Sequence, residues 1–169
     1  MRKYPFAFGF LAGSLTTLAV VAMFWPFLMR PVAQSGTYLA TYVADGDTVT
    51  VESVDGTKDT VRLLGIDTPE IKHQGKPAEC YGVEATKKTK ELVLGKYVML
   101  QKKPSEDRDV YGRLLRYVFV DGQDIGSVLM QEGFARNFCK QYPHPKCGEY
   151  DALENQAKSE GRGMWGACR

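Results

Sequence analysis

The sequence predicts a mainly-β domain with some α: a small closed sheet of five short strands, three helices packed outside it, and an apolar helix in front. Three observations carry this. Five short runs read as strands, and in the second of them Val49 and Val51 alternate with Thr48 and Thr50, the period-two signature of a strand with one buried face. Three longer segments carry apolar stripes or caps suited to helices. An almost uncharged run, Tyr4 to Met29, precedes them all. Short strands interrupted by helices suit an OB-type barrel, in which closure removes the sheet edges.

In chain order, residues 1–30 are expected to be a membrane anchor or a signal segment. A signal core needs roughly 7–15 apolar residues and a membrane span about 20, and the run from Tyr4 is long enough to cross. Trp25 lies near its outer end, and Arg2 and Lys3 before it against Arg30 after it favour a cytoplasmic N-terminus. A signal cleaved near Ala33 is the competing expectation, although "RPVAQSG" matches a small-x-small cleavage site poorly. Residues 31–36 form a linker and 37–169 the domain. The predicted strands are "TYLATYVA" (37–44), "DTVTVESV" (47–54), a run centred on 60–66, "KYVMLQK" (96–102) and "RLLRYVFV" (113–120). Asp55-Gly56 reads as a two-residue hairpin turn. Helices are expected over 78–94, where Tyr81, Ala85, Leu92 and Val93 form a stripe, and over 150–160, stopped by Gly161 and Gly163. A shorter one runs over 124–133 with Asp124 as N-cap.

Charge excludes one class of partner. The net +2 belongs to the N-terminal segment: residues 1–35 hold three of the 22 basic side chains and none of the 20 acidic ones. The remainder is near neutral, whereas a protein that coats duplex nucleic acid shows a strong basic excess. Contact with nucleic acid must therefore be local.

Cys80, Cys139, Cys147 and Cys168 follow the expected anchor, in what would be an oxidising space. An even count there reads as two disulfides. Of three pairings, Cys139–Cys147 with Cys80–Cys168 is the expected one. Zinc is the weaker alternative, since no C-x-x-C occurs.

The acids carry the functional reading. A two-residue turn at Asp55-Gly56 sets Val49 opposite Arg62 and Asp47 opposite Leu64, so all four would share a face. Asp67 follows as that strand ends before Pro69, with Asp45 and Glu70 just outside. Clustered carboxylates raise one another's pKa unless a cation intervenes. An all-oxygen donor set points to a hard ion, Ca2+ ahead of Mg2+. Arg113 opens a strand beside Tyr111, and guanidinium grips phosphate bidentately. Arg108, His73, Lys72 and Lys76 read as solvated charges.

Together "DGDTVTV", "VRLLGIDTPE", "YGVEA" and "DVYGRLL" resemble the staphylococcal nuclease (thermonuclease) family from about Tyr38 to Trp165. The resemblance implies an OB-type five-stranded barrel with three helices. It also implies a Ca2+-dependent endonuclease that hydrolyses DNA and RNA, preferably single-stranded, to 3′-phosphates. By the same resemblance, Asp47, Asp67 and the Thr68 carbonyl would be metal ligands and Asp45 would stand behind them. Glu70 would be the general base, Arg62 and Arg113 the phosphate clamp, and Tyr111 a phosphate contact. Cys139 stands where the family carries a base-stacking aromatic, and Tyr142 is expected to take that place. Gly65 replaces a bulkier residue and suggests a bulge that re-aims Arg62. A catalytically silent OB module that binds single strands or a protein partner is the alternative, against which the full set of acids and arginines counts.

Overall fold

The computed structural model describes residues 37–72, 75–103 and 107–168. The expected N-terminal helix and His73 lie outside them. Among the described residues no helix is long and apolar enough to cross a membrane.

The five expected strands are β1 (Thr37–Val43), β2 (Thr48–Glu52), β3 (Lys58–Leu63), β5 (Tyr97–Lys102) and β6 (Leu114–Val120). The pairs β1–β2, β2–β3, β1–β5 and β5–β6 are antiparallel, and a parallel β3–β6 pairing closes the barrel. Val49, Val51, Val61, Leu63, Val98 and Val118 fill its interior. Short pieces escape detection by alternation: β4 (Ile66–Asp67), β7 (Gln123–Asp124) and β8 (Arg136–Asn137) have two residues each. The three expected helices are α1 (Gly82–Val93), α2 (Ile125–Gln131) and α3 (Cys147–Ser159), and a four-residue α4 (Met164–Ala167) follows. Asp124 caps α2 as expected, accepting the Gly126 N–H at 3.0 Å. It also accepts the hydroxyl of Tyr150, a fully buried α3 residue, and an ion pair from Lys146. One carboxylate thus ties α2 to α3. The disulfides are Cys80–Cys168 and Cys139–Cys147.

The hairpin register differs from expectation by one residue. The Ser53 N–H donates to Thr57 O and the Gly56 N–H to Ser53 O, so Val54, Asp55 and Gly56 form a three-residue loop. A two-residue I′ turn needs positive φ at both central residues. Only Gly56 has it, at 84°. Asp55 instead spends its carboxylate on the Thr57 N–H and the Ser53 hydroxyl. Thr48 therefore pairs with Arg62 and Val49 with Val61. The expected shared face of Asp47, Val49, Arg62 and Leu64 does not form, because Val49 points into the core with Val61.

Gly65 is likewise a turn and not a strand bulge. Its φ is 77°, and a Cβ there would lie 2.0 Å from His144 Nε2. Gly65→Ala combines a left-handed backbone, costing about 1–2 kcal/mol, with overpacking of about 1–3 kcal/mol. Chemical unfolding is expected to register the sum; a variant as stable as the parent would refute the placement of His144.

Candidate active site

The bend before β2 is built to deliver Asp47. Gly46 packs against Thr68 so closely that a Cβ would sit 2.6 Å from the Thr68 hydroxyl. Thr89 of α1 donates its hydroxyl to Gly46 O at 2.6 Å, and the Asp47 N–H donates to Asp45 Oδ1 at 3.1 Å. Asp45 thus shapes the turn while Asp47 aims inward. The Asp47 carboxylate accepts the Thr68 N–H at 2.9 Å and the Thr68 hydroxyl at 3.1 Å, both at Oδ2.

Arg62 reaches the same carboxylate although the register differs from expectation. The chain turns at Leu64-Gly65 and curls around its guanidinium. One terminal nitrogen donates to Leu63 O at 2.9 Å and Ile66 O at 2.7 Å. Nε lies 3.1 Å from Asp47 Oδ1, and the other terminal nitrogen lies 3.2 Å from Asp67 Oδ1. Asp67 is held by the β4–β8 ladder, where it pairs with Arg136. One guanidinium therefore bridges both acids.

This charge balance leaves both carboxyls above their ordinary range. Burial pushes the Asp47 carboxyl up to about 7, against the pull of Arg62 and with help from the Asp45 and Asp67 charges. Asp67 is raised first by burial. Arg62 and Arg136 oppose that, while Glu70 and Glu79 add to it. Glu70 is exposed and has its backbone anchored: its carbonyl accepts the Glu79 N–H at 2.9 Å. Gly82 of the "YGVEA" segment lies against that carbonyl, where a Cβ would come within 2.3 Å.

Arg113 lines the same cavity as Arg62, together with Tyr111, Phe138 and Tyr142. Its Nε donates to Asp109 Oδ2 at 2.7 Å, a terminal nitrogen reaches the Thr48 hydroxyl at 3.3 Å, and the Tyr111 ring centroid lies 5.4 Å from its Cζ. Partial burial alone would raise the Asp109 carboxyl, but its bonds from Arg113 hold it below the usual range. Asp109 also accepts the Tyr111 and Arg113 N–H groups and so positions Arg113. Sequence reasoning missed it, since it sits in a charged run that resembles solvated loop. Arg108, expected to be solvated, instead donates to Gly112 O at 2.7 Å and to Asp59 at 2.9 Å, bracing that loop against β3. Lys72 and Lys76 are exposed. Phe138, also missed, stacks on Tyr142 at 5.7 Å. Cys139 is committed to its disulfide with Cys147.

The donor set fits a hard divalent cation. Asp47 and Asp67, which meet on Arg62, offer only oxygen donors, and added positive charge would relieve the burial that raises both carboxyls.

Fold and site define the class: an OB-type barrel whose rim pairs crowded carboxylates with two guanidinium groups across one cleft. The chain belongs to the family described as Staphylococcal nuclease homologue, whose model matches residues 60–167. Among similar proteins, "Endonuclease YncB" of Bacillus subtilis (strain 168) is 41% identical over 122 residues, covering 72% of this chain and 57% of that protein. "SPbeta prophage-derived endonuclease YokF" of the same organism is 42% identical over 122 residues, covering 72% and 41%. This chain therefore spans about half the length of those two. "Thermonuclease" of Staphylococcus intermedius is 33% identical over 154 residues, covering 86% of this chain and 88% of that protein.

Proposed function

We propose that the chain is a Ca2+-dependent endonuclease that hydrolyses phosphodiesters of DNA and RNA, preferably single-stranded, to 3′-phosphate ends. It acts outside the cytoplasm, tethered by the apolar segment 4–29 or released when that segment is cleaved. The observation that carries the reading is the bridging of Asp47 and Asp67 by Arg62, with Arg113 lining the same cleft. Family membership and relatives named endonuclease and thermonuclease support it.

Asp47, Asp67 and the Thr68 carbonyl would hold the ion. A hard divalent cation held there would supply positive charge for a phosphoryl oxygen and would make neighbouring water a better nucleophile. Arg62 and Arg113 hold the remaining phosphoryl oxygens and stabilise the charge that grows on them in the transition state. Glu70 accepts the proton of the attacking water. Guanidinium, with a pKa above about 12, is a poor acid, so the leaving oxygen takes its proton from water. Tyr111 contacts phosphate, and Tyr142 backed by Phe138 stacks on a base.

The test is cleavage of denatured DNA by the full chain. Calcium is expected to support cutting to 3′-phosphate ends and excess chelator to stop it. Undiminished cutting in chelator would overturn the proposal. Glu70→Gln is expected to bind oligonucleotide with unchanged affinity while cutting about 10²–10⁴-fold more slowly. Wild-type turnover in a single-turnover assay would remove Glu70 from the chemistry.

A further inference from the structure

Away from the acidic rim, Cys139, His144 and Cys147 form the one group among the described residues that offers sulfur and nitrogen ligands together, with all three donor atoms within 4.8 Å of one another. The disulfide explains the two sulfurs. It does not explain why a buried histidine is aimed at them.

His144 Nε2 lies 2.8 Å from Cys139 Sγ, and the His144 backbone N–H donates to Cys147 Sγ at 3.3 Å. The ring is buried against Tyr117, Tyr150 and the bare backbone of Gly65. Its other nitrogen, Nδ1, is fixed by the Tyr117 hydroxyl at 2.7 Å. A metal-binding histidine needs this arrangement: one nitrogen presented, the other held by an orienting partner. The hydroxyl accepts from Nδ1–H as readily as it donates, so the ring is able to present the Nε2 lone pair. The long Lys146 N–H contact at Nδ1, 3.3 Å, is given up in that tautomer.

We propose that reduction of the Cys139–Cys147 bond converts this loop into a binding site for a borderline or soft d10 cation, represented by Zn2+, with ligands Cys139 Sγ, Cys147 Sγ and His144 Nε2. A dithiol supplies two electrons to the S–S bond and is itself oxidised to a disulfide, leaving two protein thiols. Loading one Zn2+ then releases two protons as both sulfurs become thiolates. The sulfurs must part to about 3.8 Å, the spacing set by Zn–S bonds of about 2.3 Å in tetrahedral geometry. The two Cα atoms, 5.7 Å apart, leave room for this by side-chain rotation. Three protein ligands leave a fourth position open. This inference does not depend on the nuclease reading, because the acidic rim offers only oxygen.

The experiment is titration of the full chain with Co2+ under anaerobic conditions, after reduction by a trialkylphosphine. A sulfur-to-cobalt charge-transfer band saturating at one equivalent is expected, which no oxygen-only site produces. The oxidised chain should lack it. Cys139→Ser should lose the band, Cys80→Ser/Cys168→Ser should keep it, and His144→Gln should bind about tenfold or more weakly. As a check on folding, Zn2+ should raise the melting temperature of the reduced chain and leave that of the oxidised chain unchanged. No band in the reduced chain, equal affinity in His144→Gln, or a reduced chain that unfolds and is not restored by Zn2+ would each overturn the proposal.

Discussion

Asp47→Asn is expected to lower calcium-supported cleavage by about 10³-fold or more. A metal ion supplies several kcal/mol of charge stabilisation, and about 4 kcal/mol corresponds to that factor. Asparagine keeps an acceptor for the Thr68 N–H but removes the anionic charge. Loss of activity with unaltered Ca2+ uptake by calorimetry would reject Asp47 as a ligand. The same substitution predicts a pH effect whose sign is fixed by the raised carboxyl. Folded, Asp47 keeps its proton up to about pH 7; unfolded, it loses it near the ordinary value of 3.8. The folded chain therefore binds the extra proton between those values. Its stabilising contribution is complete below about pH 4 and is lost as pH rises towards 7. Asp67, raised in the same direction, adds to the trend. Without divalent ion, wild-type stability is expected to fall across that window, and the Asp47→Asn variant to fall less. Calcium affinity should run the other way, weakening about tenfold for each unit below pH 7, because uptake must displace the Asp47 proton.

How far the sequence carried depends on whether a feature is periodic. Short apolar-rich runs placed the five barrel strands to within three residues, since each must keep one face buried. The register failed at the hairpin because Asp55 uses its side chain to build a longer loop, and a one-residue slip exchanges faces. The site reading nevertheless kept Asp47 beside Arg62. Their meeting depends on the turn at Gly65 and the bend at Gly46, not on strand facing. Asp109 lay hidden in a run of mixed charge, where position in sequence says nothing of the arginine it orients. His144 was hidden more deeply. Its neighbours Gly65 and Tyr117 are distant in the chain, and a lone histidine between two prolines carries no pattern.

Arg62→Ala is expected to produce the other large effect, and on two quantities at once. The guanidinium is mostly buried, with 14% of the side chain exposed, and is the cation placed between Asp47 and Asp67. It also satisfies the carbonyls of Leu63 and Ile66. Above pH 7, where Asp47 is ionised, removing one partner of a buried pair costs about 3–5 kcal/mol, because the charge left behind is uncompensated. In chelator the melting temperature should therefore drop on the order of 10 °C. Calcium should recover much of that loss, since an ion that binds only the folded state stabilises it and neutralises the same carboxylates. Turnover should not recover: loss of one transition-state donor costs about 10²–10³-fold. Arg62→Lys separates the two roles. An ammonium restores charge but does not span two carboxylates and two carbonyls with one planar fork. Stability should return in part while cleavage stays low. If Arg62→Ala melts like the parent in chelator, Arg62 is not the counter-charge of the acidic pair, and the electrostatic account of this rim fails with it.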